Sequence, residues 1–269
     1  MYGIQIAFKN YTAAGGFTGS EWVGLEHFRR LVNSLDFVRL ISNTFILSAA
    51  SLLFSFPIPI IGALLLNQLA NVRYKRFVQT VIYAPHFIST VVLVGMLFIF
   101  LSPRTGLVNT ILGIFGKEEI FFFGKPNWFR PLYILSGIWQ SAGWGTIIYM
   151  AALAGINPEL HEAARIDGCN KLQSIRHIDI PGIFPTAVIL LILNSGTIMN
   201  IGFEKAFLMQ TPLNISTSEI IPVYVYKTGL TQAQFSFSTA VGMLNSIINL
   251  TLILTVNQIA KRVSDNSLW

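Results

Sequence analysis

Glu162, Arg165, Asp167 and Lys171, flanked by His161 and His177, stand together in the segment HEAARIDGCNKLQSIRHIDIPGIFP, residues 161–185. Carboxylates and imidazoles this close in sequence could serve catalysis, metal binding or ionic recognition of a partner. The first two find no support. The four histidines, His27, His86, His161 and His177, show no HExxH spacing, and His161 and His177 read as solvated loop residues rather than ligands. No GxSxG string occurs, and GIFGKEE at Gly113 has the wrong spacing for a phosphate-cradling loop and no hydroxyl after Lys117. A single cysteine, Cys169, excludes an internal disulfide framework and a multi-cysteine metal site. No metal site and no enzyme are expected.

The physics of the segment favours a short helix. Asn157 can cap it, Pro158 suits its first turn, and Glu159 complements its positive end. Glu162, Ala163 and Ala164 continue it, and Gly168 ends or bends it. NKLQSIRHIDI predicts a second short helix, which Pro181 stops. A small-residue face at Ala163 and Ala164, flanked by charges, suits close docking against another surface. An amphipathic loop lying on a membrane fits the same residues equally well.

The elements that must position this segment are apolar. Of 269 residues, 53% are hydrophobic and only 11% charged, with a mean hydropathy of +0.60. A soluble domain carries about 25% charged residues, so this chain belongs in a bilayer. Its net charge of +6 is scattered or placed beside apolar runs and does not point to nucleic acid. One membrane domain, residues 1–269, is expected to cross five times, at about 37–66, 77–101, 131–156, 183–203 and 237–260, with the charged loop at about 157–182. Pro57 and Pro59 should kink or break the first span, and Pro85 the second. Arg73, Lys75 and Arg76, then Arg165, Lys171 and Arg176, then Lys261 and Arg262 fall on one side if the spans alternate. That side is assigned to the cytoplasm. The N-terminus then lies outside, which implies a further N-terminal span absent from this sequence. Glu204 and Lys205 read as an interfacial ion pair at the outer end of span four. Carboxylates within the spans are too few for a proton relay, which argues against an ion-coupled secondary transporter.

EAA..DG followed by I..I.IP...P, at Glu162, Ala163, Ala164, Asp167, Gly168, Ile178, Ile180, Pro181 and Pro185, resembles the EAA loop of permease subunits in binding-protein-dependent ABC importers. Cys169, Ile175 and Ile180 depart from the common Ala, Phe and Leu of that pattern, all conservatively in size. YGIQIAFKNY, WVGLEHF, GIWQSAGWGTIIYMAALAGINPEL and the terminal SLW are similar to the maltose-type permeases for complex carbohydrates. The resemblance implies an all-α, polytopic bundle of the type I ABC importer fold in a bacterial inner membrane, with the EAA loop and C-terminus cytoplasmic. It implies a second homologous permease, two cytoplasmic ATPases and an extracytoplasmic solute-binding protein as partners, and an oligosaccharide or polysaccharide fragment as cargo. It implies no cofactor on this chain, ATP and Mg being held by the ATPases. Glu159, Glu162, Ala163, Ala164, Asp167 and Gly168 would form the coupling helix that docks on an ATPase. Sugars need aromatic faces and amides, which makes Gln140, Trp144, Asn194, Asn200, Asn245 and Asn249 path candidates. Each of these also fits as glue between helices. Tyr224 and Tyr226, with the second external loop at about 204–236, could meet the binding protein. A non-sugar solute is the alternative cargo.

Overall fold

The computed structural model describes residues 2–196 and 198–263; the terminal Ser267-Leu268-Trp269 string lies outside them. Regular structure is almost wholly helical. Among the described residues the only sheet is a short antiparallel pair, Lys9–Asn10 with Glu21–Trp22. In hydrocarbon a helix satisfies its own backbone, so the apolar runs fold this way.

Among the described residues, three helices are long and apolar enough to cross a membrane: Phe37–Asn67, Lys171–Gly196 and Phe235–Arg262, of 31, 26 and 28 residues. At about 1.5 Å per residue each exceeds the roughly 30 Å hydrocarbon core. A fourth passes the same test as a broken pair, Val72–Phe87 with Thr90–Phe100, bent by 96°. The expected span at 131–156 falls mostly in Pro126–Ala154, a helix of 29 residues that is long enough but, with Ser136, Gln140, Ser141 and several glycines, is not among those apolar enough.

The prolines act differently from one another. The first span is not broken at Pro57 and Pro59. Phe56 keeps helical dihedrals and its N–H still reaches the Leu52 carbonyl, while the prolines occupy the opening turn of Pro57–Asn67, where missing donors cost little. The pieces run on as one helix. At Pro85 the helix does break. A 3₁₀ turn, Ala84–Phe87, is followed by extended Ile88, and the amide of Gln140 donates to the freed Ile88 carbonyl at 2.8 Å. Pro181 does not stop a separate helix as expected. Lys171–Ser174 passes through a π-helical turn, Ile175–Asp179, straight into Ile180–Gly196. The wider turn takes up the register where Pro181 has no N–H to give.

The chain forms two compact units, one of residues 1–49, 90–133 and 196–252, the other of residues 50–89, 134–195 and 253–269. The first has a core of Leu31, Leu40, Met199, Ile221, Phe237 and Val241. The second is centred on Ala63, Leu64, Tyr149, Leu153 and Ile183. Its tightest backbone approach is at Gly143, where any Cβ would run into the Ile82 carbonyl.

Candidate functional site

In the second unit, Pro158–Ile166 is a helix closed at both ends by its own sequence. Asn157 Oδ1 accepts from the Glu159 N–H at 3.0 Å, and Pro158 sits in the first turn. At the other end Gly168 has φ +77°, the left-handed conformation that glycine adopts without strain. The Cys169 N–H reaches back to the Ala164 carbonyl at 2.8 Å and the Gly168 N–H to the Arg165 carbonyl at 3.1 Å. This pair of bonds is a Schellman closure. The chain then turns into a capping box at Asn170 and Gln173. The two caps satisfy the end groups of a helix too short to be stable by propensity alone, and its outer face stays open.

Glu159, Glu162, Ala163, Arg165, Asp167 and Gly168 are exposed, and Ala164 is half-buried. Ile166 is 86% exposed and Leu172 74%. Two branched aliphatics held in solvent between carboxylates and cations give this face an apolar centre and a charged rim.

His161 departs from expectation, because it is not a solvated loop residue. It is half-buried, with Nδ1 3.1 Å from Ser174 Oγ and Nε2 3.4 Å from Asp179 Oδ1. Asp179 is fully buried, and its other oxygen accepts from Gln68 Nε2 at 3.2 Å. His177 is exposed, as expected, with Nδ1 on the Gln173 carbonyl at 2.9 Å.

In the first unit a cavity of about 810 Å³ is walled by Tyr11, Asn200, Phe203, Tyr226, Asn245 and Ser246, with several aliphatic residues. None of its lining side chains is charged. Asn245 Nδ2 donates to Asn200 Oδ1 at 2.8 Å, while Asn245 Oδ1 is buried with no hydrogen-bond partner. Aromatic faces beside an amide with a free acceptor can bind a polyol by stacking and hydrogen bonding. The wall that carries Tyr226 is fixed by an ionic cluster: Lys227 Nζ lies 3.1 Å from Glu219 Oε2, and Gln210 Nε2 donates to the same oxygen at 3.0 Å. The π-helical turn Lys227–Thr231 follows it.

Of the six path candidates, Asn200 and Asn245 meet at this cavity. Asn249 lies one turn on and accepts from the Met199 N–H at 3.0 Å, in the 3₁₀ turn Ile198–Asn200. Gln140 caps the break at Ile88, and Trp144 stacks on His86 with ring centroids 4.6 Å apart. Asn194 is exposed. Sequence reasoning missed Tyr11 and Phe203 as lining residues: Tyr11 stands outside every expected span, and Phe203 closes the span expected at 183–203, beyond the polar positions read as path candidates. Tyr226 was placed with the binding protein, yet it lines the cavity. Tyr224 packs instead against the core of the first unit.

Glu204 and Lys205 do not pair. Lys205 is 7% exposed, donates to the Tyr133 carbonyl at 2.7 Å and lies over the Tyr133 ring at 4.6 Å, while Glu204 faces out. Burial pulls the Lys205 ammonium down to about 8.

Residues 55–265 match the family described as binding-protein-dependent transport system inner membrane component. The polygalacturonan/rhamnogalacturonan transport system permease protein YteP of Bacillus subtilis (strain 168) is 45% identical over 269 residues, all of this chain and 84% of that protein. A crystal structure of a bacterial ABC transporter that imports the acidic polysaccharide alginate contains a chain superposing with a TM-score of 0.91 at 41% identity, over 97% of this chain and 88% of that one. A second, of the bacterial alginate transporter in complex with alginate pentasaccharide-bound periplasmic protein, gives 0.91 at 40% identity, covering 99% and 88%.

Proposed function

Because the chain belongs to the family of binding-protein-dependent transport system inner membrane components, we propose that it is the permease through which oligosaccharides or polysaccharide fragments enter a bacterial cell, worked by ATPases that dock on helix Pro158–Ile166. It is a multi-pass membrane protein and a transport subunit rather than an enzyme. The observation that carries the docking role is the doubly capped, open-faced helix with Ile166 and Leu172 held in solvent.

On this reading two ATPases bind and hydrolyse ATP with Mg, and this chain needs no cofactor of its own. Glu159, Glu162, Ala163, Ala164, Asp167 and Gly168 form the face that seats in an ATPase groove on the cytoplasmic side. Ala163 and Ala164 let the backbones approach, and the charges set the orientation. Closure of the ATPases moves the helix, and the bundle changes between inward-open and outward-open states. A second, homologous permease completes the path, and a solute-binding protein delivers cargo from outside. The cavity at Asn200 and Asn245 forms this chain's part of the path. Its uncharged wall suits sugar faces and hydroxyls rather than carboxylates.

The test is reconstitution of the chain in proteoliposomes with its partner permease, ATPases and binding protein. The binding protein is offered a panel of neutral and acidic oligosaccharides, amino acids and phosphate. The expected result is that an oligosaccharide stimulates ATP hydrolysis and accumulates inside. Stimulation by amino acid or phosphate, with none by any saccharide, overturns the assignment of cargo.

A further inference from the structure

Asp179 is a carboxylate with no exposed surface, in a chain whose buried acids are few. Burying such a group is costly unless it is bonded on every side. Here the bonding is incomplete. Oδ2 accepts from Gln68, at the end of the first long helix, but Oδ1 has no hydrogen bond, and His161 Nε2 stands 3.4 Å from it. His161 comes from the second turn of the docking helix, with its other nitrogen on Ser174. Asp179 itself closes the π-helical turn at the root of Ile180–Gly196. One buried side chain therefore links its own helix to two other segments, through one hydrogen bond and one near contact, both side chain to side chain.

We propose that His161, Asp179 and Gln68 form the latch through which the docking helix pulls on the membrane helices, so that His161 and Asp179 are positioning residues for transport. This rests on the docking role assigned above. The logic is geometric. Pro158–Ile166 is stiff at both ends, so a push on its face moves it as a body. Through the backbone, the path from this helix to the root of the span runs by way of the Gly168 turn and Lys171–Ser174. The His161–Asp179 contact bypasses that turn and joins the helix to the root of the span. A shift of a few tenths of an ångström brings His161 into hydrogen-bonding range of Oδ1, which satisfies the buried acceptor in one arrangement and leaves it orphaned in the other. An element with one satisfied and one unsatisfied state has two positions rather than a continuum.

The test uses the whole complex with its ATPases. In a Cys169→Ser background, a cysteine at Thr239, in the cavity wall, is labelled with a maleimide before and after vanadate traps the closed ATPases. Asp179→Leu and His161→Phe are expected to leave assembly and basal ATP hydrolysis intact. They should shrink the trapping-induced change in labelling by at least about fivefold, the low end of ordinary coupling between sites. Asp179→Asn, which keeps an acceptor for Gln68, should restore part of it, and the double variant should be no worse than either single. His161 is half-exposed, so its replacement tests the idea even if Asp179→Leu fails to fold. Wild-type labelling changes in both single variants, or single effects that simply add in the double, overturn the latch. If trapping leaves the wild-type labelling unchanged, the docking role fails and the latch fails with it.

Discussion

Gly168 is the position where backbone conformation alone can be set against transport. Its φ of +77° is left-handed, and a Cβ built there meets nothing within 4 Å. A substitution thus meets no steric clash, and its cost is the intrinsic penalty of an L-residue in that region, about 1–2 kcal/mol. If the Schellman turn is what holds the docking helix in place, that penalty lowers the population of the turned conformer by about 5–30-fold. Asn tolerates the left-handed region and should cost least, Ala more, and β-branched Val most. Pro is a separate case. It fixes φ near −65° and removes the N–H that bonds to Arg165, so it should abolish the turn. The assay is ATP hydrolysis stimulated by loaded binding protein, measured beside basal hydrolysis and membrane yield across Gly168→Asn, Ala, Val and Pro. Stimulation should fall in that order while yield stays constant, because the site is exposed and packs on nothing. Equal activity of Asn and Val, or wild-type stimulation in Gly168→Pro, would refute the claim that this turn positions the docking helix.

Three further outcomes follow from the geometry. Asn245→Leu removes the donor to Asn200 and the free acceptor in the cavity wall, and should weaken sugar-dependent transport at low substrate more than at saturation; an unchanged concentration for half-maximal uptake would remove Asn245 from the path. Gly143→Ala drives a methyl into the Ile82 carbonyl and should cost about 1–3 kcal/mol of stability, read as earlier thermal unfolding in detergent, whereas Gly242→Ala, with open space around it, should be neutral. Lys205 gives a pH dependence. Its folded value, about 8, lies below the ordinary 10.5, so the folded state sheds its proton first. Stability should then rise from pH 8 to 10.5 by at most about 3 kcal/mol, stay flat below pH 8, and lose this rise in Lys205→Met.

How much of this was legible depended on whether the signal was local. Helix Pro158–Ile166 was readable residue by residue, because Asn157, Pro158, Glu159 and Gly168 act on their own backbone within a turn. Among the described residues, three of the five expected spans coincide with helices long and apolar enough to cross a membrane and a fourth with a bent pair, because bilayer thickness fixes the length to look for. The prolines were read less well. A proline's effect depends on whether the turn it opens needs a donor, and Pro57, Pro85 and Pro181 gave three different answers to that question. The cavity was only half readable. Asn200 and Asn245 stood out as amides in greasy runs, but Tyr11 comes from a segment with no periodicity to place it, and an apolar Phe203 at the end of a span carries no mark of a cavity wall.

His161 and Asp179 show where local reading ends. Nothing within a turn of either residue marks it. His161 lies on a charged helix whose other polar groups are solvated, and Asp179 stands just before an apolar run, where an acid normally marks the water boundary. Only the fold turns His161 inward and closes Gln68 over Asp179 from a segment more than a hundred residues away. A buried acid that serves stability alone should be fully bonded, since an apolar residue of the same volume would otherwise be as good or better. Asp179 has one oxygen bonded and one 3.4 Å from a histidine on helix Pro158–Ile166. An incomplete bond of this kind adds little to stability, and it suits the proposed joint, which holds in one position and releases in another.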